Sequence, residues 1–162
     1  MTRKFLSMLV VVLLALTSFA PLSLAATFPT GEAARVTTPI ASGQVNLRKT
    51  ASMSGTVLAT LPNANPLAIQ GKIGNWYKVR DLYTRATGYM HKNYIAKTFI
   101  GTASGNVNLR KGAGTNYGVI KVVKKGDEVT VVQLGKSFSK VKRGSSTGWI
   151  SNKFLQYMAL GC

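Results

Sequence analysis

The octapeptide VNLRKTAS at Val45–Ser52 returns as VNLRKGAG at Val107–Gly114, 62 residues further along a chain of 162. At that offset Ala41–Ala51 lies over Ala103–Ala113 with nine of eleven positions identical, far beyond chance. Further on the letters fade while the apolar pattern holds: TVLATLPNANPLAIQ lies over GVIKVVKKGDEVTVV, and Val57/Val119, Leu58/Ile120 and Ile69/Val131 keep their character. NWYKVR then faces SFSKVK. After two extra residues within 81–86 the offset falls to 60, and TGYMHKNYI pairs with TGWISNKFL. An insertion of that kind points to a loop. A repeat on this scale obliges the chain to fold as one module written twice. Each copy spans roughly 55 to 60 residues, about the smallest size that closes on a single hydrophobic core.

Neither copy has a helical period. Apolar residues come in runs of four to six, rich in Val, Ile and aromatic residues and separated by Gly, Asn, Pro and Ser, which are strand signals. In VNLRK the side chains of Val45 and Leu47 point one way while Asn46 and Arg48 point the other, and VTVVQL at 129–134 is a longer strand entered by the turn Gly126–Asp127. Five or six short strands per copy fit a small barrel, which also disposes of exposed sheet edges. Between the copies there is almost no Gly- or Pro-rich spacer, so the two modules are expected to touch.

The opening 26 residues place Arg3 and Lys4 before an apolar stretch from Phe5 to Ala20, with SLA ending at Ala25. That is the pattern of a signal peptide, and Ser7, Thr17, Ser18 and Pro21 make it a poor membrane span. The mature chain is expected to start near Ala26, to be exported, and to hold no stable membrane span after cleavage. It then carries 19 Lys and Arg against Glu32, Asp81, Asp127 and Glu128, a net charge near +15. Such an excess concentrates anions at the protein surface. Cys162, the only cysteine, allows no intrachain disulfide.

VNLRKTAS and VNLRKGAG resemble the opening signature of the bacterial Src-homology-3-like (SH3-like) domain, and WYKV and GYMHKNYI resemble its closing strands. The resemblance covers almost the whole mature chain. It implies an all-β fold of two tandem small SH3-like β-barrels behind an N-terminal signal-peptide helix, divided as a signal peptide at 1–25, a short segment at 26–35, barrels at 36–96 and 97–155, and a tail at 156–162. It further implies binding or targeting modules of the kind attached to wall-degrading enzymes.

No chemistry competes with that reading. One histidine, His91, and a cysteine at the end of the chain make a poor nucleophile and base. Metal hydrolysis needs three or more ligands, and glycoside hydrolysis needs two carboxylates facing across a cleft. KGAGTNYG lacks the lysine position of a phosphate loop. The expectation is no enzyme, no catalytic residues, no metal and no cofactor.

Relatives on the wider SH3 fold bind proline-rich peptides on an aromatic shelf. By resemblance Trp76, three residues before Val79, and Tyr94 stand at shelf positions, with His91 where proline would be; the second copy offers Phe138 and Phe154, with Ser151 at the proline position. The nearby loops carry Arg48, Lys49, Arg110 and Lys111, which would repel the arginine of a proline-rich ligand. The candidate ligand-binding residues are therefore Arg48, Lys49, Trp76, Tyr94, Arg110, Lys111, Phe138 and Phe154, receiving an anionic ligand. A plainer alternative is that the aromatics, with Tyr89 and Trp149, only cover the barrel cores. The expected partner is a cell-wall polymer, peptidoglycan or an anionic glycopolymer, which places the protein outside the cell at the wall. An accessory role on a separate wall hydrolase is the second reading, and extracellular nucleic acid, which also suits basic residues interleaved with aromatics, is the less favoured third.

Overall fold

A computed structural model describes residues 29–157; the segment 1–25 expected to be a signal peptide, Cys162 and most of the tail at 156–162 lie outside the described residues. Strand β1 (Gly31–Val36) is followed by β2 (Gln44–Arg48), β3 (Val57–Pro62), β4 (Pro66–Ile73), β5 (Trp76–Asp81), β6 (Thr87–His91), a 3₁₀ turn (Lys92–Tyr94) and β7 (Ile95–Lys97). The second set is β8 (Phe99–Ala103), β9 (Val107–Arg110), β10 (Val119–Val123), β11 (Glu128–Leu134), β12 (Phe138–Arg143), β13 (Ser146–Ser151), a 3₁₀ turn (Asn152–Phe154) and β14 (Leu155–Tyr157).

The two sets have one topology. In the first the hydrogen-bonded order is β7-β1-β4-β5-β6-β2-β3, and in the second it is β14-β8-β11-β12-β13-β9-β10. Even the irregularities repeat: the register slips between Ile69 and Gly71 on β4 and between Val131 and Gln133 on β11, and again where Leu47–Arg48 and Leu109–Arg110 meet β3 and β10. Bulges bend a strand and raise its twist, which lets so few residues curl into a barrel. Alternation then sorts the side chains, with Val45 and Leu47, like Val107 and Leu109, buried in their barrel and Asn46, Arg48, Asn108 and Arg110 on the outer face.

A close backbone approach ties the two halves of the repeat together. A Cβ at Gly148 would stand 2.6 Å from the Arg110 carbonyl oxygen and 2.9 Å from Leu109 Cγ, and one at Gly88 would stand 2.7 Å from the Arg48 oxygen and 2.8 Å from Leu47 Cγ. Glycine in TGY and TGW therefore lets β6 and β13 lie against the VNLR strands.

The barrels are joined through backbone. Strand β1 pairs with β4 and β7, and its first residues also pair with β11 of the other barrel, Gly31 opposite Leu134 and Glu32 opposite Gln133. Gly31 sits at φ +147°, and a Cβ there would lie 2.2 Å from the Ile69 carbonyl oxygen, so a side chain is barred from this crossing. Ala33, Ala68 and Leu82 of the first copy pack into the core cluster of the second, with Phe99, Leu134 and Leu155. The connector is the single residue Thr98, at φ +66°, whose N–H donates to the Ala33 carbonyl at 2.7 Å and whose carbonyl accepts from Arg35 Nη1 at 2.9 Å.

The loop at 82–85 is longer than its counterpart, Gly144–Ser145, and is built around a buried carboxylate. Asp81, 1% exposed, accepts from Asn65 Nδ2 at 2.8 Å, Tyr83 N at 3.2 Å, Thr84 N at 3.1 Å and the Thr84 hydroxyl. The extra length turns Leu82 into the neighbouring barrel.

Register corrects one detail of the repeat. Val36 lies opposite Ile95 as Ala103 lies opposite Leu155, so β1 corresponds to β8, and residues 37–43 precede Gln44 where only 104–105 precede Asn106. The identical triplets at 41–43 and 103–105 therefore do different work: Ala41 is an exposed turn residue and Ala103 is a buried strand residue.

Candidate functional site

The outer faces of β2, β5 and β6, and of β9, β12 and β13, each carry a row across three strands. Tyr89 is paired with Arg48 on one side and Lys78 on the other, and Trp149 is paired with Arg110 and Lys140. An aromatic flanked by two cations thus recurs at the same place in both barrels. In the next row His91 lies opposite Trp76 and Ser151 opposite Phe138.

Beyond that row each barrel opens a cleft. In the second barrel it holds about 780 Å³ and is lined by Arg110, Phe138 and Phe154, together with Asn106, Asn108, Thr115, Lys136, Ser137, Ser151 and Lys153. In the first barrel two adjoining hollows of about 190 and 590 Å³ share Met53, Trp76, His91 and Tyr94, and the smaller adds Gln44, Asn46 and Arg48. Trp76 and His91 meet edge to face at 5.4 Å. His91 also accepts the Asn93 N–H at Nδ1, as the Ser151 hydroxyl accepts the Lys153 N–H, so both residues start the 3₁₀ turns that carry Tyr94 and Phe154 to the cleft.

Six of the eight sequence-derived candidates meet in this way: Arg48, Trp76 and Tyr94 in one cleft, Arg110, Phe138 and Phe154 in the other. Lys49 and Lys111 do not. Both are exposed, outside the cleft linings, at the start of the following loop, where their backbone N–H groups donate to the Thr56 carbonyl at 2.8 Å and the Gly118 carbonyl at 3.0 Å. The two arginines also have a structural task invisible in the sequence. Arg48 Nη1 donates to the Gly55 carbonyl at 2.9 Å and Arg110 Nη1 to the Tyr117 carbonyl at 2.8 Å. Each guanidinium braces the loop seven residues ahead while its remaining donors stay available at the cleft edge.

The aromatics are partly exposed: Trp76 and Phe138 are half-buried, and Tyr94 and Phe154 are 39% and 37% exposed. Neither cleft is lined by a carboxylate. Asp81 is buried, Asp127 pairs with Arg143 at 2.9 Å and Glu32 with Lys97 at 2.9 Å, so those three are engaged elsewhere. Among the described residues no three of His, Cys, Asp and Glu gather as a metal site would require, and no helix is long and apolar enough to cross a membrane. Sequence reasoning missed Asn46, Asn108, Lys136 and Lys153. The lysines stand where the first copy has Gly74 and Asn93, so a comparison of the copies at their differences, rather than at their identities, would have found them.

The family model described as "Bacterial SH3 domain" matches residues 43–96 and again 105–156. The chain belongs to this family. Its bacterial SH3 domains are the two barrels described above, apart from β1 and β8, which the matched segments leave out. A curated relative, the putative N-acetylmuramoyl-L-alanine amidase YrvJ of Bacillus subtilis (strain 168), is 23% identical over 141 residues, covering 80% of this chain and 27% of that protein. The chain thus spans about a quarter of the length of the relative it matches. Among solved structures, NlpC2 from Trichomonas vaginalis superposes with a TM-score of 0.49 at 19% identity, covering 80% of this chain and 49% of the other. NlpC1 from the same organism gives 0.47 at 17%, covering 80% and 46%.

Proposed function

We propose that this is an exported, non-catalytic protein whose two bacterial SH3 domains attach to the bacterial cell wall, to peptidoglycan or an anionic wall polymer. The observation that carries the reading is the pair of equivalent clefts, each combining a braced arginine, partly exposed aromatic rings and side-chain amides, with no carboxylate in either lining. Aromatic faces suit the apolar faces of sugar rings, while amides and guanidinium groups supply donors for hydroxyl, carbonyl or phosphate oxygens. A net charge near +15 once Arg3 and Lys4 leave with the leader adds long-range attraction to an anionic surface. The likeness to a protein named as an N-acetylmuramoyl-L-alanine amidase supports a wall setting. The engaged carboxylates and the capping role of His91 support binding over catalysis.

Sedimentation with purified wall sacculi tests the reading. The chain should pellet with them, and Trp76→Ala or Phe138→Ala should each cost about 1 to 3 kcal/mol of binding if the aromatic is a contact. Variants that stay folded and pellet like the wild type would place the ligand elsewhere.

The accessory reading, in which the chain recruits or restrains a separate wall hydrolase, has one observation in its favour. The terminal strands of the sheet, β3 and β10, expose Val57, Leu58, Val119 and Val122, apolar edges of the kind that pair with another protein. Co-purification of a hydrolase with the wild type but not with Val122→Lys would favour it.

A further inference from the structure

The two clefts occupy the same place in the same fold, so each serves as the other's control. Asn46 and Asn108, and Arg48 and Arg110, are identical, while Trp76 and Phe138, and Tyr94 and Phe154, stay aromatic but change ring. Four positions differ in charge or bulk, beside the milder pairs Gln44/Asn106 and Asn75/Ser137 and the reversed pair Lys92/Asn152, whose lysine stands outside the first cleft's lining. Where the first cleft region has Gly74, Met53, His91 and Asn93, the second has Lys136, Thr115, Ser151 and Lys153. Two of the four changes add a lysine and the other two replace a large side chain with a small hydroxyl. The second cleft thus gathers Arg110, Lys136 and Lys153, against the single arginine of the first.

Neither carboxylate of the second copy joins the lining: Asp127 is held by Arg143 and by the Lys124 N–H, and Glu128 stands beside it at the start of β11. Three cations converging on an open cleft without a counter-ion repel one another, and a bound polyanion relieves that repulsion. We propose that the second barrel is the phosphate-binding half of the protein, its cleft taking the phosphodiester backbone of a polyol-phosphate wall polymer, while the first barrel's cleft is not an anion site. This rests on the reading of the clefts as wall-ligand sites and assigns the charge-dependent part of binding to one of them. The polyol is favoured over nucleic acid by the other lining groups. Thr115, Ser137 and Ser151 are small hydroxyls suited to a polyol, and the cleft's rings are phenyl groups, whereas the larger indole and phenol rings suited to base stacking lie in the less basic cleft.

The test is calorimetric titration of the full chain with a short glycerol-phosphate oligomer at several salt concentrations. K136Q/K153N should weaken binding at least tenfold and flatten the logarithmic salt slope by roughly 1.4 to 1.8, from about 0.7 to 0.9 per lost phosphate contact on the nucleic-acid scale. The charge-matched control K72Q/K124Q, on exposed lysines outside every cleft, should keep wild-type affinity. Asn93→Lys should steepen the slope by giving the first cleft a second cation; Gly74 is left alone because its φ of +55° strains any side chain. Equal losses in the control and the cleft variant would reduce the effect to diffuse charge and overturn the assignment, as would tighter binding of a charge-matched single-stranded oligonucleotide. A wild-type chain that pellets with phosphate-stripped sacculi but ignores the oligomer overturns the phosphate site and leaves wall binding standing. One that binds neither overturns both.

Discussion

Leu82 belongs to the first copy by sequence, yet it is 5% exposed and packed in the core cluster of the second. Leu82→Ala therefore tests whether the two barrels are one cooperative unit. A buried Leu→Ala change costs about 2 to 5 kcal/mol, with the low end where neighbours can relax. Leu82 stands on a loop whose following residues, Tyr83 and Thr84, are exposed, so a value of about 2.5 kcal/mol is expected. For a folded region of this size that lowers Tm by roughly 8 to 12 °C. The chain supplies its own reporters, one tryptophan per barrel, Trp76 and Trp149. Single-tryptophan variants with phenylalanine at the other position read each barrel separately during denaturant unfolding. Because β1 is hydrogen-bonded to β4, β7 and β11 at once, the two reporters should give coincident transitions, and Leu82→Ala should move both by the same amount. A Trp149 transition that stays in place while Trp76 shifts would refute the coupling, and two separate wild-type transitions would show that the β1–β11 pairing adds little.

Arg48→Met and Arg110→Met should each lose about 1 kcal/mol through the missing loop hydrogen bond, and hydrogen exchange at the Lys49 or Lys111 amide, which closes that loop, should quicken with it. Thr98→Gly should raise stability by about 0.5 kcal/mol, because a β-branched residue at positive φ is strained and glycine is not, although glycine also loosens the unfolded chain; thermal melting reads the sign. The Asp127 carboxyl is held below its ordinary value of 3.8, first by the Lys124 N–H and then by Arg143. A lowered carboxyl pKa gives stability that is present above the unfolded value and is lost as pH falls through the folded one, so Asp127→Asn should flatten the loss of Tm between pH 4 and more acid solution.

The fold was legible because the repeat is dense where the backbone is most constrained. VNLR and TG-aromatic are the two strands that must touch, and the task of the glycine becomes visible only with the 2.6 and 2.7 Å approaches that exclude a side chain. Part of the disagreement between the copies also follows packing. Thr50 and Gly55 of the first copy correspond to Gly112 and Tyr117 of the second, and a Cβ at Gly55 would meet the Thr50 hydroxyl oxygen at 2.4 Å while one at Gly112 would meet the Tyr117 ring at 2.4 Å. The side chain has changed places across one contact. What stayed hidden was decided by the tertiary arrangement: β1 serving both barrels, Leu82 crossing between them, and Lys136 on a loop and Lys153 on a 3₁₀ turn reaching one cleft.

The doubled octapeptide then has a different meaning from the one its charge first invites. Of its two basic residues, the lysine stands outside the cleft and the arginine spends a donor on the loop carbonyl, a bond that any copy of this barrel needs whatever it binds. Identity between the copies therefore marks the requirements of folding, with the arginine serving both. The residues free to choose a ligand are those the fold does not fix, and at four of them the first copy has Gly, Asn, Met and His where the second has Lys, Lys, Thr and Ser. Two copies with like sites would gain by avidity on one repeating polymer. On the proposed assignment, copies whose sites differ and that share strand β1 gain most where a neutral ligand and a phosphate chain lie side by side, which is the surface an anionic polymer attached to a sugar mesh presents.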